Sequence, residues 1–343
     1  MAFYYVKNKV GFEMASEQVE RRTYTKEATP IEHLKRFSEV LGGPNIYIKR
    51  DDLLGLTGGG NKTRKLEYLM VDALKQGADT IVTCGALQSN HCRLTLAAAV
   101  KEGLRCQLVL QEHAHHPFDE QALGNQQIFK LLGAEQLHIV AHDTDLVAQA
   151  LAVTEQLRSE GRNVYFIPIG GSSALGTLGY VRAAEEILAQ CEAEGLAFKE
   201  VLVGSGSGGT HAGLALGFYE GKAPFSLTGI NVSAPNAVQV PKVEQVLQGA
   251  AQLLNLNDLP EGLIVCADGY VGEGYTLPTP GMVEAVQLLA RTEGILLDAV
   301  YTGKVMAGLI DFVRQGKYSK EDNILFIHTG GAMSLSAFDG ELE

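Results

Sequence analysis

The amino-acid sequence predicts an α/β fold built on doubly wound parallel sheets. Short apolar runs recur along the 343-residue chain, and amphipathic stretches with helical spacing lie between them. Apolar strands that lack hydrophobic–polar alternation are typical of parallel sheets, because helices cover both faces of such sheets. A chain of this length can form two domains, each with its own hydrophobic core.

The predicted strands are short apolar runs that end in small or polar residues. In chain order they are Ile46–Lys49, Thr80–Thr83, Gln107–Leu110, Leu137–Val140, Val164–Ile169, Glu200–Val203, Ser226–Val232 and Ile324–His328. The predicted helices have apolar residues at spacings of three and four. They are a helix that begins near Lys62 and ends before Gly77, and the stretches Leu94–Glu102, Asp145–Glu160, Gly179–Glu194 and Thr210–Phe218.

Composition narrows the possible functions. The net charge of −12 argues against nucleic acid or an anionic membrane as the main partner, because both require a basic face. The five cysteines form no CxxC pair, which favours free thiols in a reducing compartment. The polar segment 1–20 has no features of a secretory signal, and no apolar run is long enough to span a membrane. We therefore expect a cytoplasmic enzyme.

The glycine-rich segment Gly58–Lys65 is the most informative part of the sequence. Its glycines allow a tight turn, after which Lys62 opens a helix. The positive end of the helix dipole disfavours a protonated amine, so Lys62 is a candidate for a lowered pKa and for Schiff-base chemistry with an aldehyde cofactor. A solvated lysine at a helix start is the structural alternative. Walker A is excluded, because Asn61 separates Gly60 from the lysine.

A second glycine-rich loop, Gly204–Gly209, lies between a predicted strand and a predicted helix. It satisfies G-x-G-x-x-G, but the next strand ends in Ser233-Ala234-Pro235, without the acidic residue of a dinucleotide site. Successive amides at a helix N-terminus still form a site for one phosphate. A phosphate site and a Schiff-base lysine together favour pyridoxal 5′-phosphate (PLP). A dehydrogenase that uses this loop and a non-catalytic PLP carrier are the alternatives.

Further polar segments follow predicted strands. Gln88–His91 could hold a carboxylate or cap a helix. Tyr275 and Tyr301 lie in glycine-flanked turns, which favours a site over the usual core position of tyrosine. His328–Gly331 places small polar groups where a cofactor ring could bind. The tract Glu112–His116 lacks partners at metal-ligand spacing, so we expect a solvated loop and no metal site.

With these segments, the chain resembles the family that contains 1-aminocyclopropane-1-carboxylate deaminase and D-cysteine desulfhydrase, which are fold-type-II PLP enzymes. The likeness extends from about Thr29 to Gly331. Its motifs are GGNKTRKLEYL (Gly59–Leu69), QSNH (Gln88–His91), IGGSSALGTLGY (Ile169–Tyr180), GSGSGGTHAGLA (Gly204–Ala215), GYTLP (Gly274–Pro278), LLDAVYTGKVMAGL (Leu296–Leu309) and FIHTGG (Phe326–Gly331).

The resemblance implies two doubly wound parallel-sheet domains with the cofactor between them, a homodimer, and a small amino acid as substrate. We expect residues 1–65 and 174–343 to form a large PLP-binding domain and residues 66–173 a small inserted α/β domain. The positions that would bind the cofactor are Lys62 (the Schiff-base lysine), Lys65, Ser207, Gly208, Gly209 and Thr210 (the phosphate), Asn90 (the 3′-hydroxyl), and Thr302 or Thr329 (beside the pyridine nitrogen).

The resemblance also assigns residues around the substrate. Ser89 falls at the family's substrate-binding and catalytic position, and the amides of Asn90 and His91 would lie near the substrate carboxylate. Tyr275 and Tyr301 would flank the substrate, and either could protonate the leaving group. Lys62, once freed by the substrate, would remove the Cα proton before the Cβ–S bond breaks.

Two departures indicate the branch of the family. In the cyclopropane deaminases, the tyrosine matching Tyr301 is followed by a glutamate that meets the pyridine nitrogen, and the Ser-Asn pair is followed by Gln. Here those positions hold Thr302 and His91. A ring nitrogen without a carboxylate is a weaker electron sink, which suits expulsion of sulfur. We therefore expect conversion of D-cysteine to pyruvate, ammonia and hydrogen sulfide. An L-cysteate sulfo-lyase and the cyclopropane deaminase are the alternatives.

Overall fold

The fold was analysed in a computed structural model that describes residues 15–113, 117–256, 258–338, 340 and 342. Across these residues, strands and helices alternate as the sequence predicts. Ala114, His115 and His116 lie outside the described residues, as do residues 1–14. The solvated loop expected at the histidine-rich tract therefore stays a prediction.

The elements are numbered in chain order. The strands are β1 (Ile31–His33), β2 (Asn45–Lys49), β3 (Thr80–Ala86), β4 (Arg105–Gln111), β5 (Gln136–Val140), β6 (Val164–Ile167), β7 (Glu200–Ser205), β8 (Ser226–Asn231), β9 (Cys266–Ala267) and β10 (Asn323–Ile327). The helices are α1 (Lys35–Leu41), α2 (Lys62–Lys75), α3 (Asn90–Lys101), α4 (Asn125–Leu131), α5 (Leu146–Ser159), α6 (Ala174–Glu194), α7 (Gly209–Glu220), α8 (Asn236–Leu253), α9 (Pro280–Glu293) and α10 (Thr302–Arg314).

The strands form two separate sheets. The larger sheet has the order β1-β2-β10-β7-β8-β9, and the smaller has the order β5-β4-β3-β6. Every pairing is parallel except that of β1 with β2. The prediction of doubly wound parallel sheets in an α/β fold is therefore confirmed.

All eight predicted strands are present, with shifted ends. β3 and β7 continue past the predicted ends, because their ladders extend to Ala86 and Ser205 despite an intervening glycine. β6 ends at Ile167, because Pro168 has no amide hydrogen to continue the ladder. Sequence periodicity missed β1 and β9, which have only three and two residues.

Each sheet has its own apolar core. Ile81, Leu108 and Phe129 belong to a buried cluster around the smaller sheet, and Leu202 and Phe326 to one around the larger sheet. The four strands of the smaller sheet all lie within residues 66–173. The exact domain boundaries at 65/66 and 173/174 stay a prediction.

Helix α2 packs into both parts of the protein. Leu66 and Met70 join the cluster of the smaller sheet, whereas Tyr68 packs with Leu178 and Ala212 on the side of the larger sheet. As a result, α2 is buried almost all round from Lys62 to Val71, rather than along one stripe. This position between the two cores places the first turn of α2 in the interior.

The fold brings the predicted motifs to the carboxyl ends of neighbouring strands. The loop after β2 leads into α2, the loop after β7 is Gly206–Gly208, and the loop after β10 begins at His328. These three parallel strands are adjacent in the larger sheet. Ligands of α/β sheets bind at this edge. No helix of the described residues is long and apolar enough to cross a membrane.

Candidate active site

Lys62 is the first residue of α2 and lies inside the protein. Only 8% of its surface is exposed, which corrects the alternative of a solvated lysine. Burial lowers the pKa of the amine to about 8. The negative charge of Asp298 opposes this shift, and the positive charge of Arg93 adds to it. The Nζ atom lies 5.1 Å from the centre of the Tyr301 ring, and no described residue accepts a hydrogen bond from it. Desolvation is therefore the main reason that this amine is unusual.

The glycines before Lys62 are required by close backbone contacts. Gly59 has a φ of +62°, and a Cβ there would lie 1.6 Å from the carbonyl oxygen of Asp52. The Asn61 amide donates to the carbonyl oxygen of Thr329 at 3.1 Å. The turn is therefore fixed against the residues that follow β10, and it holds the start of α2 in place.

Lys65, one helical turn after Lys62, is fully buried. Its Nζ atom donates to the carbonyl oxygen of Gly170 at 3.0 Å and to Ser172 Oγ at 3.1 Å. Burial and the charge of Lys62 lower its pKa well below the usual range. Among the described residues, no carboxylate forms an ion pair with Lys65. A buried ammonium group without a counter-ion is costly, so the position calls for an anionic ligand.

The loop before α7 meets Lys65. Ser172 Oγ donates to Ser207 Oγ at 2.8 Å and accepts from the Gly209 amide at 3.1 Å. A Cβ at Gly209 would lie 2.8 Å from Ser172 Oγ and 2.9 Å from Lys65 Nζ, so glycine keeps the space beside these two groups open. Gly208 has a φ of +94°, which turns the chain into the helix. The predicted phosphate residues Lys65, Ser207, Gly208 and Gly209 therefore lie together.

Thr210 connects the two glycine-rich loops, because its Oγ1 atom accepts a hydrogen bond from Asn61 Nδ2 at 2.9 Å. The hydroxyl proton of Thr210 stays available for an anion. Sequence reasoning assigned no role to Ser172, which bridges Lys65 and Ser207. The signal for it was the Gly-Gly-Ser-Ser run that begins three residues after the end of β6.

Asn90 opens α3 and belongs to a buried polar network. Its Oδ1 atom accepts from Arg93 Nη1 and from Asn125 Nδ2, both at 2.9 Å. The fully buried Arg93 also donates to the carbonyl oxygens of Gly59 and Thr57, at 2.9 and 3.1 Å. Burial lowers the pKa of Arg93 to about 10. Arg93 links the Lys62 turn to α3, and sequence reasoning missed it.

Ser89 and His91 have different surroundings. Ser89 caps α3, because its Oγ atom accepts from the Cys92 amide at 3.1 Å. The His91 ring lies between Thr83 Oγ1 at 2.7 Å and Thr95 Oγ1 at 3.4 Å. Burial, together with nearby lysine charges, lowers the pKa of His91 well below its usual range. The His91 side chain thus packs toward β3, whereas its amide, in the first turn of α3, has no intrahelical acceptor.

Tyr275 and Tyr301 form a pair. Their hydroxyl groups are hydrogen-bonded, and their rings meet edge to face with centres 5.8 Å apart. Burial raises the pKa of Tyr275 to about 12 and that of Tyr301 well above the usual value. Both phenols are therefore neutral near pH 7. They line a cavity of about 430 Å³.

The two threonine candidates differ in their hydrogen bonds. Thr302 Oγ1 donates to Asp298 Oδ1 at 2.6 Å and accepts from the Asp298 amide at 2.7 Å. The Asp298 carboxylate also accepts from the amides of Val300 and Tyr301, and so caps the start of α10. The hydroxyl of the half-buried Thr329 makes no hydrogen bond to a described residue. Of these two threonines, only Thr329 has a hydroxyl proton that is not already donated to a described residue.

Comparison with known proteins identifies the family. The family described as pyridoxal-phosphate dependent enzyme matches residues 23–330. The chain belongs to this family. A D-cysteine desulfhydrase from Serratia proteamaculans (strain 568) is 46% identical over 317 residues, which cover 91% of this chain and 93% of the relative.

Solved structures agree with this assignment. The crystal structure of an ACC deaminase homologue matches 96% of this chain and 97% of its own, with a TM-score of 0.85 and 38% identity. A fungal L-serine ammonia-lyase from Rhizomucor miehei matches 91% and 96%, with a TM-score of 0.64 and 18% identity, and shows the fold alone. The predictions of a fold-type-II enzyme and of PLP as cofactor are confirmed.

The residues present suit PLP. The cofactor carries an anionic phosphate and an aldehyde. The site has the buried Lys65, whose lowered pKa an adjacent phosphate would raise, and the buried amine of Lys62, whose pKa is also lowered. The space that Gly209 keeps open beside Lys65 would be filled by a Cβ. Glycine loops and helix N-termini of this kind bind phosphate through their amides.

Proposed function

We propose that this enzyme catalyses β-elimination of sulfur from D-cysteine, which yields pyruvate, ammonia and hydrogen sulfide. The 46% identity to a protein named D-cysteine desulfhydrase supports the proposal. The observation that carries it is Thr302, at the position where the cyclopropane deaminases that this chain resembles have a glutamate. Thr302 is neutral, and its hydroxyl donates to Asp298. This position therefore offers no carboxylate to the ring nitrogen.

Lys62 acts as the base in the proposed reaction. Because its pKa is about 8, a useful fraction of the amine is uncharged near neutral pH. Bound PLP would supply an electron sink for the charge that develops at Cα. Lys62 removes the Cα proton, and the Cβ–S bond breaks with its electron pair on sulfur. Water then converts the three-carbon product to pyruvate and ammonia.

The remaining residues of the proposal bind the cofactor and orient it. Lys65, Ser207, Gly208, Gly209 and Thr210 hold the phosphate, together with Ser172, which already contacts Lys65. Asn90 donates through Nδ2 to the 3′-hydroxyl, because its Oδ1 atom accepts from Arg93 and Asn125. Thr329 is the threonine that can donate near the pyridine nitrogen.

The substrate carboxylate binds at the start of α3. Ser89 can donate its hydroxyl proton, because its oxygen is the acceptor in the cap to Cys92. The amides of Asn90 and His91 add two donors at the positive end of the helix dipole. This is an anion site made mostly of backbone, so it does not depend on the His91 ring.

Tyr275 and Tyr301 donate the proton that the leaving sulfur needs. Their raised pKa values keep both phenols protonated at the pH of the reaction. Among the described residues, no lysine or arginine lines their cavity, whereas Asp119 does. A neutral thiol is therefore better suited to this cavity than the anionic sulfonate of L-cysteate.

A homodimer and a cytoplasmic location are also part of the proposal. The first rests on the resemblance to fold-type-II enzymes. The second rests on the cysteines, which are all free thiols, as in proteins of reducing compartments. Light scattering of the purified enzyme would test the first.

A substrate panel tests the proposed function. PLP-loaded enzyme is given D-cysteine, L-cysteine, L-cysteate and 1-aminocyclopropane-1-carboxylate at equal concentrations. We expect pyruvate and sulfide from D-cysteine at a rate at least about tenfold above that of each other substrate. The products measured are sulfide from L-cysteine, sulfite from L-cysteate and 2-oxobutanoate from the cyclopropane acid. Equal or faster formation of 2-oxobutanoate would overturn the proposal, although the PLP assignment would stand.

A further inference from the structure

The buried arginine of α3 has no carboxylate partner among the described residues. Arg93 is 0% exposed, and its guanidinium donates only to neutral oxygens. These are the side-chain oxygens of Asn90 and Asn125, at 2.9 and 2.7 Å, and the carbonyl oxygens of Gly59 and Thr57, at 2.9 and 3.1 Å. The hydrogen bonds of the group are satisfied, but its charge is not compensated.

A second buried arginine near the site has the opposite surroundings. Arg64 is 7% exposed, and its guanidinium pairs with Asp51 at 2.7 Å and with Glu186 at 2.9 Å. A buried charge is costly unless it is paired. Arg93 has this cost without a pair, and buried ionisable groups of this kind are concentrated at functional sites.

Arg93 keeps its charge despite its burial. Burial lowers its pKa to about 10, and the negative charge of Asp298 opposes the shift. The guanidinium therefore stays protonated near neutral pH. A charge in the low-dielectric interior acts more strongly on its neighbours than a charge in water does.

The guanidinium lies against the turn that carries Lys62. A Cβ at Gly58 would lie 3.5 Å from Arg93 Cζ, and a Cβ at Gly60 would lie 3.9 Å from Arg93 Nη2. Lys62 follows this turn as the first residue of α2. Burial is the larger cause of the lowered pKa of Lys62, and the charge of Arg93 lowers it further.

The other titratable groups around Lys62 do not supply the same positive charge near neutral pH. Asp298 is negative and favours the protonated amine. The pKa values of Lys65 and His91 lie well below their usual ranges, mainly because of burial. The phenol of Tyr301, whose ring faces Lys62, is neutral because burial raises its pKa.

We propose that Arg93 is a positioning residue whose uncompensated charge keeps the amine of Lys62 uncharged and therefore able to attack the cofactor aldehyde. A positive charge disfavours a second one nearby, so the guanidinium acts on Lys62 through its field and through the turn that it holds. The inference rests on Lys62 as the Schiff-base lysine of the proposed function, and it applies whatever the substrate is.

A pair of variants at position 93 tests the charge. The full-length enzyme is freed of PLP, and its Schiff-base formation with added PLP is followed by stopped-flow absorbance across a range of pH. Arg93→Met removes the charge and keeps an unbranched side chain in the space. We expect the midpoint of the pH profile to rise by about one pH unit, so that the rate at pH 7 falls by about tenfold. Arg93→Lys keeps the charge and should leave the midpoint within about 0.3 pH unit.

A pair of variants at position 125 gives the same test without removing Arg93, and it decides the question if Arg93→Met does not fold. Asn125 Oδ1 accepts from the guanidinium at 2.7 Å. Asn125→Asp places a carboxylate there with little change in size, and it should raise the midpoint in the same direction. Asn125→Ala is the matched control, because it removes the same hydrogen bonds and adds no charge. Urea unfolding of all the variants would establish that each one is folded.

The outcomes separate the inference from the proposed function. An unchanged midpoint in Arg93→Met, or in Asn125→Asp if Arg93→Met does not fold, would overturn the inference. Equal shifts in the charge-keeping and charge-changing variants would also overturn it, because they would show a purely structural role. The assay contains no amino acid, so a failure to convert D-cysteine would overturn the proposed reaction alone. Schiff-base formation by Lys62→Ala would overturn both, because another lysine would then be the reactive one.

Discussion

Two lysines on one helical turn have opposite surroundings. Lys65 donates to a carbonyl and to Ser172 within a connected set of hydrogen bonds that includes Ser207 and the Gly209 amide. Lys62 has no hydrogen-bond acceptor among the described residues and faces the ring of Tyr301. Tyr301 also lines a cavity of about 430 Å³. The Lys65 end of the site is thus suited to hold a fixed anion, and the Lys62 end to admit groups that enter and leave during the reaction.

The different surroundings of Lys65 and Lys62 explain how one helix can both bind an anion and supply a reactive amine. A fixed anion benefits from donors that are already oriented, because binding then orders little else. A reacting amine benefits from desolvation without a competing hydrogen bond, because a larger fraction of it is then uncharged and its lone pair is free. The buried position of α2 between the two cores desolvates both lysines, and their different neighbours determine what each one does.

The largest expected effect is that of Lys62→Ala. We expect turnover to fall by at least about a thousandfold, because no other group replaces the amine as base. The fold should survive, since the described residues lose no hydrogen bond. Pyruvate assays and the absorbance of the Schiff base would measure the effect. Lys75→Ala, at the exposed end of the same helix, is the control. If Lys62→Ala kept the Schiff-base absorbance, Lys65 would be the reactive lysine. The roles assigned to Lys62 and Lys65 would then be reversed.

The sequence predicted much of this contrast but not its cause. The glycines before Lys62 and the loop before α7 are local patterns, so the strands, the helix starts and the phosphate loop could be found from the sequence. The burial of Lys62 depends on α2 lying between two cores, which arises from contacts distant in sequence. The helix-dipole argument gave the right direction for its pKa, and the structure shows burial as the main cause.

Other parts of the site carry no local signal. Arg93 lies between Cys92 and Leu94 in α3, and only the folded chain shows that it contacts Gly59 and Asn125. In the sequence, Asp298 looks like an ordinary acidic residue. Only the fold shows that the amides of Tyr301 and Thr302, at the start of α10, donate to its carboxylate. The roles of the site residues stay predictions, because they require a bound cofactor and substrate to test.

A double substitution at the anion end gives the next largest effect. Ser207→Ala with Thr210→Ala removes two hydroxyl donors from the proposed phosphate site. Hydrogen bonds to charged groups contribute about 1.5–3 kcal/mol each, so PLP affinity should fall by about a hundredfold or more. Equilibrium dialysis of PLP would measure it. Ser226→Ala with Thr228→Ala, on β8 and away from the loop, is the control pair. Unchanged affinity would mean that the loop before α7 does not hold the phosphate.

The smallest expected effect is the pH dependence of cofactor capture, and it isolates the Lys62 end. A free amine must be uncharged to attack an aldehyde, and burial lowers the pKa of Lys62 from its ordinary value of 10.5 to about 8. The uncharged fraction therefore rises with pH and is nearly complete above pH 9. Between pH 7 and pH 9, it increases by about tenfold. We expect the rate at which the cofactor-free enzyme forms the Schiff base with PLP to increase by the same factor and then level off. Stopped-flow absorbance would follow this rate, with the PLP reaction of a simple alkylamine as the reference. A rate that still climbed steeply above pH 10 would show an unperturbed lysine, and the proposed difference between the two ends of the site would be lost.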